Sequence, residues 1–268
     1  ADMSKPVSRL RMPKYEVPIN VHWVSSTRLV VEKGKQFGSI DKPFATGEIL
    51  ATDVDGTHQD YLFGYQDGYG TRGDTRQADH GWGKVNGLPE PANGHFYVGA
   101  HPWKEDGHSR LYEIDATKNV RHLVADIGVD NMSFMIGPGG KVDYAYGVNI
   151  DMDYVTYRLA GGHWMQLQTD RYFTPFSSTP VGQRVYALYS ADGGPAQLVE
   201  QQLDGGGRKL LAKDDFGSVD HVEWTAAPRQ PFAIVPDTGT PHPIYIDPTL
   251  PAAKLYMAIS QKFPGEFV

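Results

Sequence analysis

Residues 23–63 read WVSSTRLVVEKGKQFGSIDKPFATGEILATDVDGTHQDYLF. An aromatic residue, Trp23, is followed by a polar turn and the apolar run Leu29-Val30-Val31. A third run, Glu48-Ile49-Leu50-Ala51-Thr52-Asp53, closes on an Asp turn, and a fourth, Tyr61-Leu62-Phe63, ends the unit. Short runs of β-branched and aromatic residues punctuated by Gly, Pro, Asn and Asp predict strands joined by turns. The order then returns along the chain. Trp82 precedes Phe96-Tyr97-Val98, Phe134 precedes Val142-Asp143-Tyr144, Phe176 precedes Val185-Tyr186-Ala187, and Trp224 precedes Phe232-Ala233-Ile234. Further third runs are Leu111-Tyr112-Glu113-Ile114-Asp115 and Ile244-Tyr245-Ile246-Asp247; further fourth runs are Arg121-His122-Leu123-Val124 and Lys209-Leu210-Leu211. The leading aromatics lie 59, 52, 42 and 48 residues apart. Four strands in roughly 40–50 residues, iterated, is the pattern of β-propeller blades. A blade is apolar on both broad faces and needs neighbours to bury them.

The predicted fold class is therefore all-β: about five four-stranded repeats, in an incomplete or open propeller, with a short C-terminal helix. Residues 1–20 are read as an N-terminal extension or partial first blade, and 21–268 as the propeller segment. Within Asp153–Leu159 the side chains of Val155, Tyr157 and Leu159 alternate with Tyr154, Thr156 and Arg158, which predicts a half-exposed strand. Val185–Tyr189 is apolar on both faces, as a strand sandwiched between sheets must be. Near the end, Ala252, Leu255, Tyr256, Ile259 and Phe263 recur at helical spacing behind Thr249 as cap and Pro251, and before a Pro264-Gly265 stop.

Composition narrows the function. The 268 residues include 30 Gly and 19 Pro, consistent with many turns, and no Cys, which excludes disulfides, thiolate metal sites and a Cys nucleophile. The formal net charge of −7 offers no positive field for phosphates, so nucleic acid is not an expected partner. No run of 18 apolar residues predicts membrane insertion. Compartment, periplasmic or cytoplasmic, is left open.

Chemistry-bearing motifs are few. A nucleophile elbow needs Gly-x-Ser-x-Gly. The nearest string, Gly107-His108-Ser109-Arg110-Leu111, lacks the second Gly and feeds a strand. His95, His101 and His108 accompany Glu105 and Asp106, yet they follow no metal-ligand spacing and read as surface or turn histidines. Asp53-Val54-Asp55-Gly56 opens like a calcium loop but does not continue the ligand series, and reads as a hairpin turn. Asp151/Asp153 and Asp214-Asp215 read as solvated turn carboxylates. Gly137-Pro138-Gly139-Gly140 and Gly205-Gly206-Gly207 read as turns and not as phosphate cradles. No residue is assigned as catalytic, cofactor-binding or metal-binding, and no cofactor is expected. The segment Gly64–Gly83, with Gly68, Gly70, Arg72, Gly73, Asp74, Arg76 and Asp79, is long for a blade turn. It has two equal readings, a rim loop that contacts a peptide or further domain and an insertion without a role.

Several strings taken in order resemble a known family. These are Phe37–Pro43, Gly47–Gly56, Leu62–Tyr65, Asp143–Gly147, Ile246–Pro248 and Phe263–Gly265, and together they span about residues 20–268. They resemble the N-terminal propeller of bacterial prolyl oligopeptidase-family serine peptidases of the dipeptidyl aminopeptidase or acylaminoacyl-peptidase kind. The resemblance implies a hydrolase in two parts, a propeller covering a C-terminal α/β-hydrolase domain and restricting it to peptides. It implies that this chain is an excised piece, non-catalytic in itself, whose open blade edges favour self-association. Two other classes stay open: a free-standing propeller that binds a protein or small ligand, and a metal-dependent propeller hydrolase with an axial cluster of Asp, Asn, Glu or His.

Overall fold

A computed structural model describes residues 8–65, 78–103, 107–167, 172–226, 228–240 and 242–263. The fold is all-β and built of propeller blades, each an antiparallel sheet that meanders from strand to neighbouring strand. The chain divides into two compact units, Ala1–Ser133 and Phe134–Val268.

The first unit holds blade A, with β1 (Glu16–Trp23), β2 (Arg28–Lys35), β3 (Phe44–Asp53) and β4 (Asp60–Phe63), and blade B, with β5 (Gly81–Gly87), β6 (His95–Pro102), β7 (Ser109–Asp115) and β8 (Val120–Ile127). Trp23 and Trp82 stand on the first strands, and the apolar runs that follow them form β2 and β6, the second strands. One core joins the two blades: Val30, Ile49, Leu62 and Phe63 of blade A pack with Val85, Phe96, Val98 and Ile114 of blade B. Each fully buried side chain of this size contributes about 1.5–3 kcal/mol. The blades approach closely because two positions carry no Cβ. At Gly83 a Cβ would lie 2.4 Å from the Phe63 ring, and at Gly47, whose φ is +77°, it would lie 2.9 Å from the Trp82 Cα.

The boundary between the units falls inside β9 (Met132–Ile136), the first strand of blade C, which continues with β10 (Val142–Val148), β11 (Tyr154–Ala160) and β12 (His163–Gln166). Blade D comprises β13 (Tyr172–Ser178), β14 (Arg184–Ser190), β15 (Gln197–Gln202) and β16 (Lys209–Ala212). Blade E has three strands, β17 (Val219–Trp224), β18 (Pro231–Pro236) and β19 (Ile244–Tyr245), followed by α1 (Pro251–Ser260). Tyr144, Phe173, Val185 and Val199 form the core between C and D, while Tyr186, Leu198, Val219 and Ile234 fill that between D and E.

Two sequence expectations are corrected. Strand β11 is not half-exposed. Thr156 is buried with its hydroxyl donating to the Phe173 carbonyl at 2.6 Å, and Arg158 reaches the Leu203 carbonyl, so blade D covers the face read as polar. The helix forms where predicted, but on a rotated face. Ala253 is the buried contact, with Tyr256 against Phe232 and Tyr245, whereas Leu255 stands exposed. Thr249 does not cap it. Leu250 is the N-cap residue and offers no side-chain bond, and Thr249 instead closes an Asp turn on the Asp247 carboxylate. Pro264-Gly265 lies outside the described residues.

Candidate functional site

Ser109 opens β7 and is fully buried. Its hydroxyl donates to the Val129 carbonyl at 2.8 Å and accepts the Met132 amide at 3.0 Å, with the His101 Nδ1 at 3.3 Å. A nucleophilic hydroxyl must face the substrate and surrender its proton to the base. Here the proton is committed to a carbonyl, so the trio ties β6, β7 and the approach to β9 together. Burial pushes His101 below its ordinary pKa, against the pull of Asp130 and with the help of Lys84, so the imidazole is neutral at pH 7.

The clustered histidines separate in space. His95 and His101 sit at opposite ends of β6, six residues or about 20 Å apart. His95 lies 3.0 Å from Glu113 in an electrostatic contact that lacks hydrogen-bond alignment, since its Nδ1 is buried without an aligned acceptor. His108 pairs with Asp126, which also accepts Arg110 Nε at 3.0 Å. Glu105 and Asp106 lie outside the described residues. Among the described residues no group of three His, Cys, Asp or Glu is gathered to hold a metal ion.

Turn readings hold at the remaining motifs. The Gly56 amide donates to the Asp53 carbonyl at 2.8 Å, and Asp55 receives the Thr57 amide at 2.9 Å. Asp151 and Asp153 donate their amides to Asn149 in an exposed turn. The Asp214 carboxylate takes the amides of Phe216 and Gly217, while Asp215 pairs with Lys213. Gly137–Gly140 and Gly205–Gly207 close hairpins. Of the Gly64–Gly83 segment, residues 66–77, including Gly68, Gly70, Arg72, Gly73, Asp74 and Arg76, lie outside the described residues. Its two ends are joined: Asp79 donates its amide to the Gly64 carbonyl at 2.8 Å and accepts the Gly64 amide at 3.0 Å.

Sequence reasoning missed a set of buried charges. Lys33 is enclosed by Glu16 at 2.8 Å and Glu48 at 3.3 Å, and Glu48, fully buried, also accepts the Tyr61 hydroxyl. On the opposite face of β2, Glu32 accepts Asn20, His22 and the Val85 amide. Burial works against the ionised Glu32, but these hydrogen bonds outweigh it and lower the pKa. These charges pair with one another within blade A and with the Val85 amide of blade B, and Glu48 Oε2 faces Lys33 without an aligned hydrogen bond.

The candidate surface lies at the blade ends. We call the head the end where a second strand joins a third, and the tail the end where a first joins a second. Among the described residues the tail loops are mostly tight polar turns, such as Ser25-Ser26-Thr27 and Thr117-Lys118-Asn119, although Val181 and the strand-end residues Trp23 and Val120 are exposed there. In the first unit the head loops carry large exposed apolar side chains: Phe37 (62% exposed) and Ile40 (96%) in blade A and Trp103 in blade B. Within the second unit, taken by itself, the head loop of blade C exposes Ile150 (85%) and Met152. Trp103 rests against Tyr65, with ring centroids 5.0 Å apart. Exposed apolar loops on a rigid β scaffold mark contact surfaces. The sequence signal was the apolar residue inside a polar loop, hidden because such residues resembled strand ends.

No protein-family model matches the chain. No curated protein matches it either. Solved structures similar to it include a TolB candidate from Agrobacterium tumefaciens, with 17% identity, TM-score 0.45 and coverage of 74% of this chain and 63% of that one. TolB from Acinetobacter baumannii gives 13%, 0.43, 74% and 48%, and a puromycin-hydrolyzing peptidase of Mycobacterium tuberculosis gives 13%, 0.39, 82% and 36%. The chain thus spans under two thirds of the length of each of these structures. Likeness at this level carries no functional information.

Proposed function

We propose that this chain is the non-catalytic propeller portion of a prolyl oligopeptidase-like serine peptidase. It confines and size-selects peptides at the head end of blades A and B, for a hydrolase domain carried elsewhere on the protein. The ordered sequence resemblance over residues 20–268 supports the reading. The observation that carries it is the contrast between the two blade ends of the first unit, with mostly polar turns at the tail and exposed Phe37, Ile40 and Trp103 in the head loops. Such a module contributes by gating access and excluding water.

Two measurements test this. The purified chain should turn over neither peptide nor ester substrates, and turnover blocked by a serine-directed inhibitor would overturn the proposal. In the intact peptidase, Trp103→Ala should alter kcat/KM for long peptides while leaving dipeptide-sized substrates unaffected. Equal effects on both lengths would remove the size-selecting role.

A further inference from the structure

We propose that the head of blade A binds an extended peptide segment whose alternate apolar side chains are flanked by carboxylates. This rests on the reading of the head as the substrate-facing end. Tyr15, Phe37 and Phe44 form a row of exposed rings, with centroids 5.4 Å and 6.0 Å apart. Same-face side chains of an extended chain repeat at about 6.7 Å. Successive alternate residues of such a chain can therefore each meet a ring, which neither a lipid surface nor a compact ligand requires.

The row is held in place. The Gln36 amide donates to the Tyr15 carbonyl at 2.9 Å, the Gln36 side chain donates to the Asp41 carbonyl at 2.8 Å, and the Asp41 carboxylate accepts the Gly38 amide at 2.8 Å. Tyr15 itself has a φ of +70°, a costly conformation for an aromatic residue that presents its ring to Phe37 and to solvent.

Charge selects the ligand's flanks. Lys14 stands over the Tyr15 ring at 4.7 Å, at one end of the row. Lys35, on the middle strand, is in register with both Glu16, the neighbour of Tyr15, and Phe44, and at the other end Lys42 precedes Phe44 by two residues. Lys33, one residue from Gly34, is neutralised inside the blade, but Lys14, Lys35 and Lys42 have no ion-pair partner among the described residues. In a chain of net charge −7, two carboxylates lie close to these cations and both are engaged, Asp41 by the Gly38 amide and Glu16 by Lys33. Cations at both ends of an aromatic row complement a peptide with carboxylates on both sides of an apolar centre.

The test is fluorescence anisotropy of the purified chain with dye-labelled acetyl-Glu-Leu-Ser-Leu-Ser-Leu-Glu-amide, against the same peptide with Lys for Glu. At low ionic strength the acidic peptide should bind at least about tenfold more tightly, and salt should erase the preference. Combined Lys14→Glu and Lys42→Glu should remove the preference while thermal unfolding stays unchanged, and Phe37→Ala should weaken both peptides. Equal binding of the two peptides, or a preference untouched by charge reversal, would overturn the proposal. So would partition of the chain onto phosphatidylglycerol vesicles with no peptide binding, or self-association lost in the same variants, because either outcome assigns the patch to another occupant. These readouts need no catalysis, so their failure is separable from failure of the size-selection kinetics.

Discussion

Arg28 on β2 donates two hydrogen bonds to the carbonyl of Ala116, 88 residues later in the turn after β7, from Nε at 3.0 Å and Nη2 at 2.8 Å. The same buried guanidinium reaches Asp53 at 3.1 Å, Asp60 at 2.5 Å and the His58 carbonyl at 2.5 Å, so one side chain staples two turns of blade A to a turn of blade B. A lysine has no planar fork and can serve only part of this set. Arg28→Lys should cost about 2–4 kcal/mol, below the roughly 3–5 of a fully buried pair because both aspartates keep some exposure. Urea unfolding measures it, and a loss near zero would show that the fork is dispensable.

Gly83 faces the Phe63 ring so closely that a methyl group has no room. Gly83→Ala should destabilise by about 1–3 kcal/mol through overpacking. Phe63→Leu in the same chain should recover part of that loss, giving a non-additive double-mutant cycle. Additive effects would mean that the ring moves aside freely and that the blades do not depend on this contact.

The blades were legible because burial on two faces leaves a mark that local sequence cannot hide. Val30, Phe96, Tyr144, Val185 and Ile234 all lie on second strands, each of them preceded by an aromatic first strand. What stayed hidden depends on partners distant in sequence. Arg28 and Lys33 read as surface charges until Ala116, Glu16 and Glu48 enclose them. Thr156 reads as an exposed position until the Phe173 carbonyl covers it. The helix face turned because Ala253 is small enough to let the backbone approach Phe232 and Ala233, which outweighs the wider apolar stripe through Leu255. The head surface was hidden for the opposite reason: Ile40 and Ile150 contact so little that no periodicity contains them.

Acid should weaken the fold in two windows. The Glu32 pKa is lowered from 4.5, because hydrogen bonds from His22, Val85 and Asn20 overcome the burial that opposes them. The folded state therefore binds fewer protons than the unfolded one, and the stabilisation is full above 4.5 and lost as pH falls through the lower folded value. His101 is lowered from 6.5 by burial, so its penalty is absent above 6.5 and grows as the unfolded chain alone takes up the proton. Urea midpoints across pH should fall in both windows. Glu32→Gln should flatten the lower and His101→Gln the upper; a His101→Gln profile parallel to the parent would remove His101 as a source.

Ser109 offers the sharpest separation of structure from chemistry. A serine beside a histidine invites a nucleophilic reading, under which Ser109→Ala would leave the fold intact and abolish reactivity. The geometry predicts the reverse. The hydroxyl of the fully buried Ser109 bridges the Val129 carbonyl and the Met132 amide. Removing it takes a partner from both groups, a cost of about 1–3 kcal/mol. Ser109→Thr should not rescue, because a methyl added at a fully buried position overpacks the joint of β6 and β7 by a comparable amount. A fluorophosphonate should leave Ser109 unlabelled in the folded chain, since reagent cannot reach an oxygen whose proton already belongs to a carbonyl. Mass spectrometry of the treated protein decides the point: a covalent adduct on Ser109 under native conditions would make the Ser109–His101 pair a reacting group, whereas adduct-free protein with a lowered unfolding midpoint in Ser109→Ala fixes the pair as a tie between strands.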